Sequence, residues 1–471
     1  MSVPPQRLLA PVLLLVTALA GVSCSRSRAS DSTRDQPSVS DLTGVPTRVV
    51  WVQGEGSDLR TLSTNLTLMG YDTEDGRGER ALLGERRNYT KPLITPRGDR
   101  IIFTDRQALD LYVVNWDGTG LRRLAEGFGL EVWQDPASGV EWVYAARGPE
   151  NDEQYRRVVR FPIDRPAETE LVWDKTLVGE EFQPSADGRV ASGVFPWPDV
   201  GIAELPNGSL QILGHGCWPA LARLDPPLFW YFDGPHRGVT IVNTAKADQR
   251  WHVSISQLPG FDGAEVYFPR WTNDPQFLTM AGPYNLGTED DTKVRLGGPQ
   301  VEIYVGRFSA DFSRVDRWAQ VTSNDRGDSY PDVWIDTGST TTRTGPSGVP
   351  PGAWSRAGPA DARARRVVLD VRLAAPVAIP SPRAILPYRH AMAVHHYDVV
   401  RVVEGSYGER TMPVAHWVIR DGRILGDARR FVGVAYRVTV ELYDAHPELE
   451  GERLVMSGDE PALPIYYDVG S

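Results

Sequence analysis

Cysteine is scarce in this sequence of 471 residues, which contains only Cys24 and Cys217. Two cysteines form one disulfide bond at most, so a small disulfide-stapled fold is excluded. No apolar run reaches the roughly 20 residues that a membrane-spanning helix needs, which excludes a multi-span membrane protein. Basic residues are outnumbered, with 50 Lys and Arg against 61 Asp and Glu. The net charge of -11 argues against nucleic-acid binding, because phosphates are neutralised by a basic face.

Two catalytic or cofactor motifs are also missing. The sequence has no Cys-x-x-Cys-His, so covalently attached haem is excluded. No Gly-x-Ser-x-Gly elbow occurs in the C-terminal part, which excludes a prolyl-peptidase-like hydrolase. What is present, 41% hydrophobic and 24% charged residues, is typical of a folded globular protein. We expect no cofactor.

The first 23 residues have the pattern of an export signal. Residues 8–22 form an apolar stretch too short to span a membrane, and Ala20-Gly21-Val22-Ser23 directly precedes Cys24. This junction resembles a bacterial lipobox, although Gly21 stands where leucine is usual. The resemblance implies that Cys24 is lipidated and anchors an exported protein in the periplasm or at the cell surface. Cleavage without lipidation is the alternative.

Two stretches without apolar periodicity divide the rest of the chain. Residues 24–45, rich in Ser, Arg and Asp, predict a flexible tether, and residues 337–366, rich in Gly, Pro and Thr, predict a linker. They leave a large module at 46–336 and a small module at 367–471. In the large module, Cys217 is expected to be a buried small side chain, with a bridge to Cys24 as the alternative.

The large module consists of short β-rich runs separated by tight turns. The clearest unit, residues 88–125, has strand-like runs at 91–94, 100–104, 111–114 and 121–124. Four such strands joined by hairpins form one blade of a β-propeller.

This unit resembles the TolB-like propeller repeat, also called PD40 or WD40-like. Its turn Pro96-Arg97-Gly98-Asp99 and its ending Arg123-Leu124-Ala125 match the repeat's "P-D-G-K" and "R-x-L-T". Weaker copies give six blade starts, near residues 92, 133, 184, 219, 269 and 331. Because too few residues follow the last start, strands at 48–52 and 66–83 are expected to complete that blade and close the ring. The sequence therefore predicts an all-β fold with a six-bladed propeller, seven blades being possible.

The small module is also β in character. Strand-like runs occur at 367–374, 391–403, 411–420 and 436–443. The module resembles the small OB-like barrels appended to secreted bacterial proteins. We expect a β-barrel or β-sandwich there and infer no ligand.

Several residue patterns have a chemical alternative that we do not favour. Histidines 390, 395, 396 and 416 suit a metal, but neighbours on a strand point to opposite faces, so structural roles are favoured. Residues 327–329 (Gly-Asp-Ser) and 233–236 (Asp-Gly-Pro-His) resemble esterase blocks in reversed order and are interpreted as blade turns. The acidic segments 72–76 and 288–291 lack the ligand alternation of a calcium loop and are interpreted as solvated turns. We therefore predict no metal site.

Charged or aromatic residues at the blade starts are the candidates for binding, because each blade sends a loop towards the central channel. The predicted channel-mouth set is Lys91, Glu131, Glu181, Trp218, Arg270 and Asp332. Of the 14 tryptophans, 12 lie in the large module, where some are candidate sugar platforms and most are expected to pack between blades.

The function that these patterns favour is a non-catalytic envelope protein that binds a partner protein or glycan through a propeller face. We expect a monomer that touches the membrane only through its lipid and does not bind nucleic acid. The alternative is a propeller hydrolase or lyase acting on polysaccharide, with Glu131, Glu181 or Asp332 as acid and base. Two carboxyls converging in a deep channel, roughly 5 to 10 Å apart, would favour that enzyme. A structural protein without a defined ligand is the third possibility.

Overall fold

A computed structural model describes most of the chain from residue 36 onwards. The described residues are 36–55, 63–151, 153–232, 234–246, 248–261, 263–284, 298–338, 343–346, 348, 350, 353–355, 366–385, 388–426, 428–456 and 463–470. The predicted leader, Cys24, Asp233 and the acidic segment 288–291 lie outside them. Across the described ranges, no helix has the length and apolar character needed to cross a membrane.

A single turn of helix, α1 (Val39–Thr43), begins the described chain. The backbone N–H of Asp41 donates to the Ser38 hydroxyl, which caps the helix, and Gly44 ends it in the left-handed conformation with φ 72°. Val39 and Leu42 are buried in the propeller core. The C-terminal end of the predicted tether is therefore packed against the propeller through these two apolar side chains.

The first twelve strands form the first three blades of the propeller, together with one strand from the end of the module. All pairings within these blades are antiparallel. Their strands are β1 (Thr47–Gly54), β2 (Thr67–Asp72), β3 (Arg80–Ala81), β4 (Thr90–Ile94), β5 (Arg100–Asp105), β6 (Asp110–Asn115), β7 (Arg122–Glu126), β8 (Phe128–Gln134), β9 (Glu141–Pro149), β10 (Gln154–Pro162), β11 (Glu170–Trp173) and β12 (Leu177–Val178).

Blades 4 to 6 continue the pattern, and two short strands of the predicted linker join blade 5. The strands are β13 (Gln183–Pro184), β14 (Val190–Val194), β15 (Asp199–Glu204), β16 (Leu210–His215), β17 (Cys217–Leu221), β18 (Leu224–Asp225), β19 (Leu228–Phe232), β20 (Gly238–Asn243), β21 (Gln249–Ser254), β22 (Glu265–Trp271), β23 (Phe277–Tyr284), β24 (Glu302–Phe308), β25 (Val315–Gln320), β26 (Gly327–Ile335), β27 (Arg343–Thr344) and β28 (Trp354–Ser355).

The ring closes by exchange of a strand between the two ends of the module. Strand β26 pairs antiparallel with β1, and blade 1 has the order β26-β1-β2-β3. Blade 2 runs β4 to β7, blade 3 starts at β8, blade 4 at β13, blade 5 at β17 and blade 6 at β22. The six blades, their starts and the predicted closure are confirmed.

The innermost strands share a local irregularity that explains the prolines at blade starts. Lys91, Trp218, Phe268 and Tyr330 each have positive φ, between 46° and 57°, and each precedes a proline. The strand pairing shifts register across the first three of these residues. An innermost strand has an open edge towards the channel, so a proline there costs no hydrogen bond of the sheet.

Large aromatic side chains fill the wedges between blades. Trp230 of blade 5 stacks on Trp271 of blade 6 with ring centroids 4.1 Å apart, and both are buried. Each such ring removes on the order of 150 to 250 Å² from water, which holds neighbouring blades together. Cys217, at the start of β17, is buried as predicted.

The small module is a closed five-stranded barrel. Its strands are β29 (Val367–Ala375), β30 (Ala391–Glu404), β31 (Thr411–Arg420), β32 (Arg423–Ile424), β33 (Ala435–Leu442), β34 (Arg453–Val455) and β35 (Tyr466–Asp468). The five barrel strands close in the order β29-β30-β31-β35-β33, with β31 and β35 parallel. This Greek-key arrangement confirms the OB-like barrel.

Two interpretations of short motifs need correction. Residues 327–329 are not a blade turn but the first residues of β26, where Asp328 is buried and accepts a hydrogen bond from Trp51 Nε1 at 2.9 Å. Asp72 is not solvated either. Its carboxylate accepts hydrogen bonds from Arg48 Nε at 2.9 Å and Trp116 Nε1 at 3.0 Å, which ties β2 to blade 2.

Candidate functional site

The innermost strands of the six blades place equivalent residues at three levels of the central channel. At the middle level, each innermost strand contributes one residue that pairs with the next strand of its own blade. We call these six residues the middle ring: Leu93, Glu131, Gln183, Ala220, Arg270 and Asp332. Two residues earlier lies the mouth ring: Lys91, Gly129, Glu181, Trp218, Phe268 and Tyr330. Two residues later lies the funnel ring: Thr95, Trp133, Ser185, Ala222, Thr272 and Trp334.

The six residues predicted from the sequence therefore fall on two levels. Three of them, Lys91, Glu181 and Trp218, belong to the mouth ring, and Glu131, Arg270 and Asp332 belong to the middle ring. The predicted set lines one channel, but only half of it stands at the mouth. A binding role for these residues stays a prediction.

Arg270 spans the channel in the middle ring. Its Nη2 lies 2.6 Å from Glu131 Oε2, and its Nε lies 2.7 Å from Asp332 Oδ1. The other oxygen of Asp332 accepts the backbone N–H of Ile94 at 2.7 Å. Burial raises the pKa of Asp332 above its ordinary value, and Arg270 opposes that shift. Two carboxylates and one guanidinium thus close the channel with a nearly complete set of hydrogen bonds.

The mouth ring is held by a second group of charges. Lys91 Nζ donates to the backbone carbonyls of Leu130 and Glu180, at 2.7 and 2.5 Å. Burial, reinforced by Arg270, lowers the pKa of Lys91 to about 8. The Glu180 carboxylate pairs with Arg106 Nη1 at 2.5 Å and accepts from the Tyr330 hydroxyl at 2.8 Å.

Sequence reasoning missed Glu180 and Tyr330 at this mouth. Glu180 stands beside the predicted Glu181 in the turn before β13, where the alternation of side chains in a strand does not apply. Burial favours the neutral form of Glu180, but Arg106, Tyr330 and Lys91 together hold its pKa below the ordinary value. Tyr330 carried a usable signal, because an aromatic residue precedes proline at several blade starts.

The two cavities at these levels are small. The cavity at the mouth measures about 40 Å³, and the one beside Arg270 and Asp332 about 20 Å³. A single water molecule needs roughly 10 to 15 Å³, so these spaces hold a few waters and no sugar ring.

The other end of the channel opens into a wide cavity of about 980 Å³, which we call the funnel. Ligand sites have volumes of roughly 300 to 1,000 Å³, so the funnel is within that range. It is formed by the turns that follow the innermost strands. Its charged and aromatic lining residues are Arg97, Trp133, Arg223, Asp274, Trp334, Asp336 and Arg343.

The two funnel tryptophans already have packing partners. Trp334 lies on the blade 2 turn, where a Cβ added to Gly98 would be 2.5 Å from its ring, and its Nε1 donates to Pro96 O at 2.9 Å. Trp133 lies in the same way on the blade 4 turn at Gly188. The guanidinium of Arg48 stands 5.6 Å from the centroid of the Trp334 ring. These rings pack one blade against the next, and both also line the funnel.

None of the six predicted channel residues lines the funnel, and Arg223 is one of the lining residues that the sequence did not predict. It lies between β17 and β18, outside the repeated pattern, and borders both the funnel and the cavity beside Arg270. No spacing or composition signal distinguishes it from other loop arginines in the sequence.

The histidines of the barrel differ in burial and in their contacts. His395 is buried and His396 is half-buried on the opposite face, as the strand pattern predicted. Burial lowers the pKa of His395 to about 3, so its ring is neutral. His416 lies 3.0 Å from both Asp468 Oδ2 and the Tyr397 hydroxyl. In the part of the chain that is described, no three His, Cys, Asp or Glu side chains are placed to hold one ion.

His236, from the predicted esterase-like block, lies in the turn between β19 and β20 and is buried where the barrel meets the propeller. Its ring nitrogens lie 2.5 Å from the Tyr267 hydroxyl and 2.8 Å from the Tyr388 hydroxyl. Arg453 of β34 donates to Gly234 O at 2.8 Å and pairs with Glu265. This network joins the two modules. None of the contacts named here involves a serine hydroxyl.

Several solved structures are similar to this chain, at low sequence identity. No family model matches the sequence, and no curated protein matches it. The chain is similar to the solved structure of TolB from Acinetobacter baumannii, with TM-score 0.38 and 14% identity over 62% of this chain and 69% of that one. It is similar to a nidogen/laminin complex structure, with TM-score 0.41 and 10% identity over 61% and 98% of the chains. Hydrazine synthase from Kuenenia stuttgartiensis gives 0.33 and 13% over 50% and 70%. The propeller assignment rests on the order of the strands in the six blades.

Proposed function

We propose that this chain is an exported, non-catalytic envelope protein that binds a partner protein or glycan through the funnel face of its propeller. The observation that carries the proposal is the contrast between the two channel ends. The funnel measures about 980 Å³ and is large enough for a ligand, whereas the mouth cavity measures about 40 Å³. The proposal places Glu131, Arg270 and Asp332 beneath the funnel floor and Lys91, Glu181 and Trp218 at the opposite mouth.

One observation favours the alternative, a polysaccharide hydrolase or lyase. Glu131 and Asp332 converge in the channel, as an acid and base pair would. Both, however, converge on Arg270, which binds one oxygen of each at 2.6 and 2.7 Å. A general acid must reach the leaving oxygen of its substrate, and the cavity beside these carboxyls measures about 20 Å³. The geometry therefore supports binding over hydrolysis.

The proposal includes export and a lipid anchor at Cys24. Its support is the sequence alone, since residues 1–35 lie outside the described structure. The test is fractionation of bacterial cells that express the chain or its Cys24→Ser variant. The parent is expected in the membrane fraction and the variant in the soluble exported fraction. An identical distribution of the two proteins would contradict the anchor.

Binding at the funnel is tested by affinity capture from envelope extract with the full mature chain. Thr337→Trp places a large side chain at an exposed funnel residue, and Gln107→Trp places the same side chain at an exposed residue on the mouth face. We expect a partner that the parent and Gln107→Trp retain and that Thr337→Trp loses. Retention by Thr337→Trp, or loss by Gln107→Trp alone, would contradict the assignment of the face.

A further inference from the structure

Arg223 brings a cation to the floor of the funnel. Its side chain borders the 980 Å³ cavity on one side and the small cavity beside Arg270 on the other. The side chain is therefore placed where the deepest group of a bound ligand would arrive. Any ligand chemistry assigned to Arg223 rests on the proposed function, because the ligand would occupy the same funnel.

The guanidinium of Arg223 has unused hydrogen-bonding capacity. A guanidinium carries five N–H donors. Across the described residues, Arg223 makes one hydrogen bond, from Nη2 to Val132 O at 3.4 Å, and no ion pair. Burial lowers the pKa of Arg223 from its usual value, and an arginine side chain still remains a cation.

The nearest carboxylates do not satisfy this cation. Glu131 and Asp332 attract Arg223, but one oxygen of each carboxylate is bound to Arg270. Arg270 therefore has two carboxylate partners, whereas Arg223 has one long hydrogen bond to a backbone carbonyl.

The wall of the funnel favours a singly charged anion. Arg343 pairs with Asp274 at 2.9 Å, which leaves Arg97 and the exposed Asp336 as the other charged groups of the lining. With Arg223 the lining carries one net positive charge. One carboxylate neutralises that charge, whereas a phosphate dianion would leave an excess negative charge near Glu131 and Asp332.

We propose that the funnel binds a segment of a partner protein whose carboxylate, from an acidic side chain or from the chain end, pairs with Arg223. A carboxylate accepts two parallel N–H bonds from the planar guanidinium fork, which fixes both position and orientation. A peptide is favoured over an acidic sugar because the Trp133 and Trp334 rings already pack against the glycine turns of neighbouring blades.

The test uses four probes on the full chain: an N-acetylated Gly-Ser hexapeptide with a free carboxyl end, the same peptide as its amide, the amide with one central Glu, and oligogalacturonate. Saturation-transfer NMR with acetate as competitor measures binding. We expect one or both carboxylate peptides to bind, the neutral amide to bind at least tenfold more weakly, and acetate to displace the bound peptide. The first and third probes distinguish a chain end from an acidic side chain.

Variants complete the test. Arg223→Gln is expected to lower peptide affinity at least tenfold, Arg223→Lys to lower it less, and Arg123→Gln, at an exposed site outside the funnel, to leave it unchanged. Equal binding of acid and amide peptides to the parent protein would overturn the proposal even if Arg223→Gln failed to fold. Preferred binding of oligogalacturonate would overturn it in favour of an acidic glycan.

Failure of this inference is separable from failure of the proposed function. If no carboxylate peptide binds while Thr337→Trp still abolishes capture of the partner, the funnel remains the binding face and only the role of Arg223 is refuted. If Thr337→Trp retains the partner, the proposed face itself is wrong.

Discussion

Arg270 and Glu131 stand on opposite blades of the ring, blade 6 and blade 3, and their side chains meet across the channel with Nη2 and Oε2 2.6 Å apart. A propeller channel is open by default, because six innermost strands surround an axis that none of them crosses. Here one ion pair crosses it. Arg270 lines the small cavities on both sides of this ion pair, between the mouth and the funnel.

Removing the guanidinium that crosses the channel is expected to destabilise the propeller. Arg270→Met leaves Glu131 and Asp332 buried without their partner, and breaking a buried pair from one side costs about 3 to 5 kcal/mol. Denaturant unfolding at pH 7 measures the loss. The triple change Arg270→Met, Glu131→Gln, Asp332→Asn removes the charges together and is expected to lose less. An Arg270→Met variant as stable as the parent would show that the contacts of Arg270 with Glu131 and Asp332 do not stabilise the propeller.

The stability of blade 6 is expected to depend on the protonation of Glu302. Burial raises the pKa of Glu302 to about 7, with Asp328 and Glu79 acting in the same direction and hydrogen bonds from Thr322 and Asn324 opposing. The folded state thus keeps a proton that the unfolded chain releases above its ordinary pKa. This contribution is present at low pH and is lost as pH rises through about 7.

Glu302→Gln removes that loss, because the amide stays neutral. Between pH 5 and pH 8 the free energy of unfolding of the variant is expected to rise relative to that of the parent by up to about 3 kcal/mol. Each unit of pKa shift corresponds to about 1.4 kcal/mol. Urea midpoints at the two pH values measure the gain, with exposed Glu404→Gln as control. Parallel pH profiles for Glu302→Gln and the parent would contradict the prediction.

The contact between Arg453 and Glu265 is expected to hold the barrel against the propeller. Burial alone would raise the pKa of Glu265, but Arg453 and His236 lower it to about 2, so the carboxylate is charged at neutral pH. Arg453→Met is expected to lower the free energy of unfolding by about 3 to 5 kcal/mol, as measured by denaturant unfolding. The double change Arg453→Met, Glu265→Met is expected to recover part of the loss. No recovery would mean that the pair acts through packing alone.

Gly98 is expected to be required because any side chain there would collide with the Trp334 ring, and not only because of its positive φ. Gly98 and Gly139 have similar φ, 75° and 69°, but an added Cβ would meet Trp334 at 2.5 Å in the first case and nothing within 4 Å in the second. Gly139→Ala should cost about 1 kcal/mol for the left-handed conformation. Gly98→Ala should cost clearly more and shift the funnel wall. Equal melting temperatures of the two variants would contradict this.

Much of the fold could be predicted because propeller blades repeat local signals. Tight turns such as that at Gly98 recur along the chain, and a proline follows Lys91, Trp218, Phe268 and Tyr330 at four of the six blade starts. The barrel strands were equally visible, except for the short β34 and β35, whose three residues are too few for a periodic pattern.

The candidate site was less predictable, for two physical reasons. Bulges shift the alternation of innermost strands, so the depth of a residue such as Arg270 in the channel does not follow from its sequence position. The ion pairs also join residues far apart in sequence, as Glu131 and Arg270 show. Arg223 lies outside the repeat altogether, so its place at the funnel floor depends on tertiary structure.

The most direct test of the central claim, that the funnel is the binding face, is site-specific photo-cross-linking in envelope fractions. Benzoylphenylalanine is introduced at Pro136, exposed on the funnel rim, or at Gln107, exposed on the mouth face. We predict a discrete protein adduct from position 136 that Thr337→Trp abolishes, and none from position 107. An adduct from position 107 alone, or adducts of equal yield from both, would contradict it.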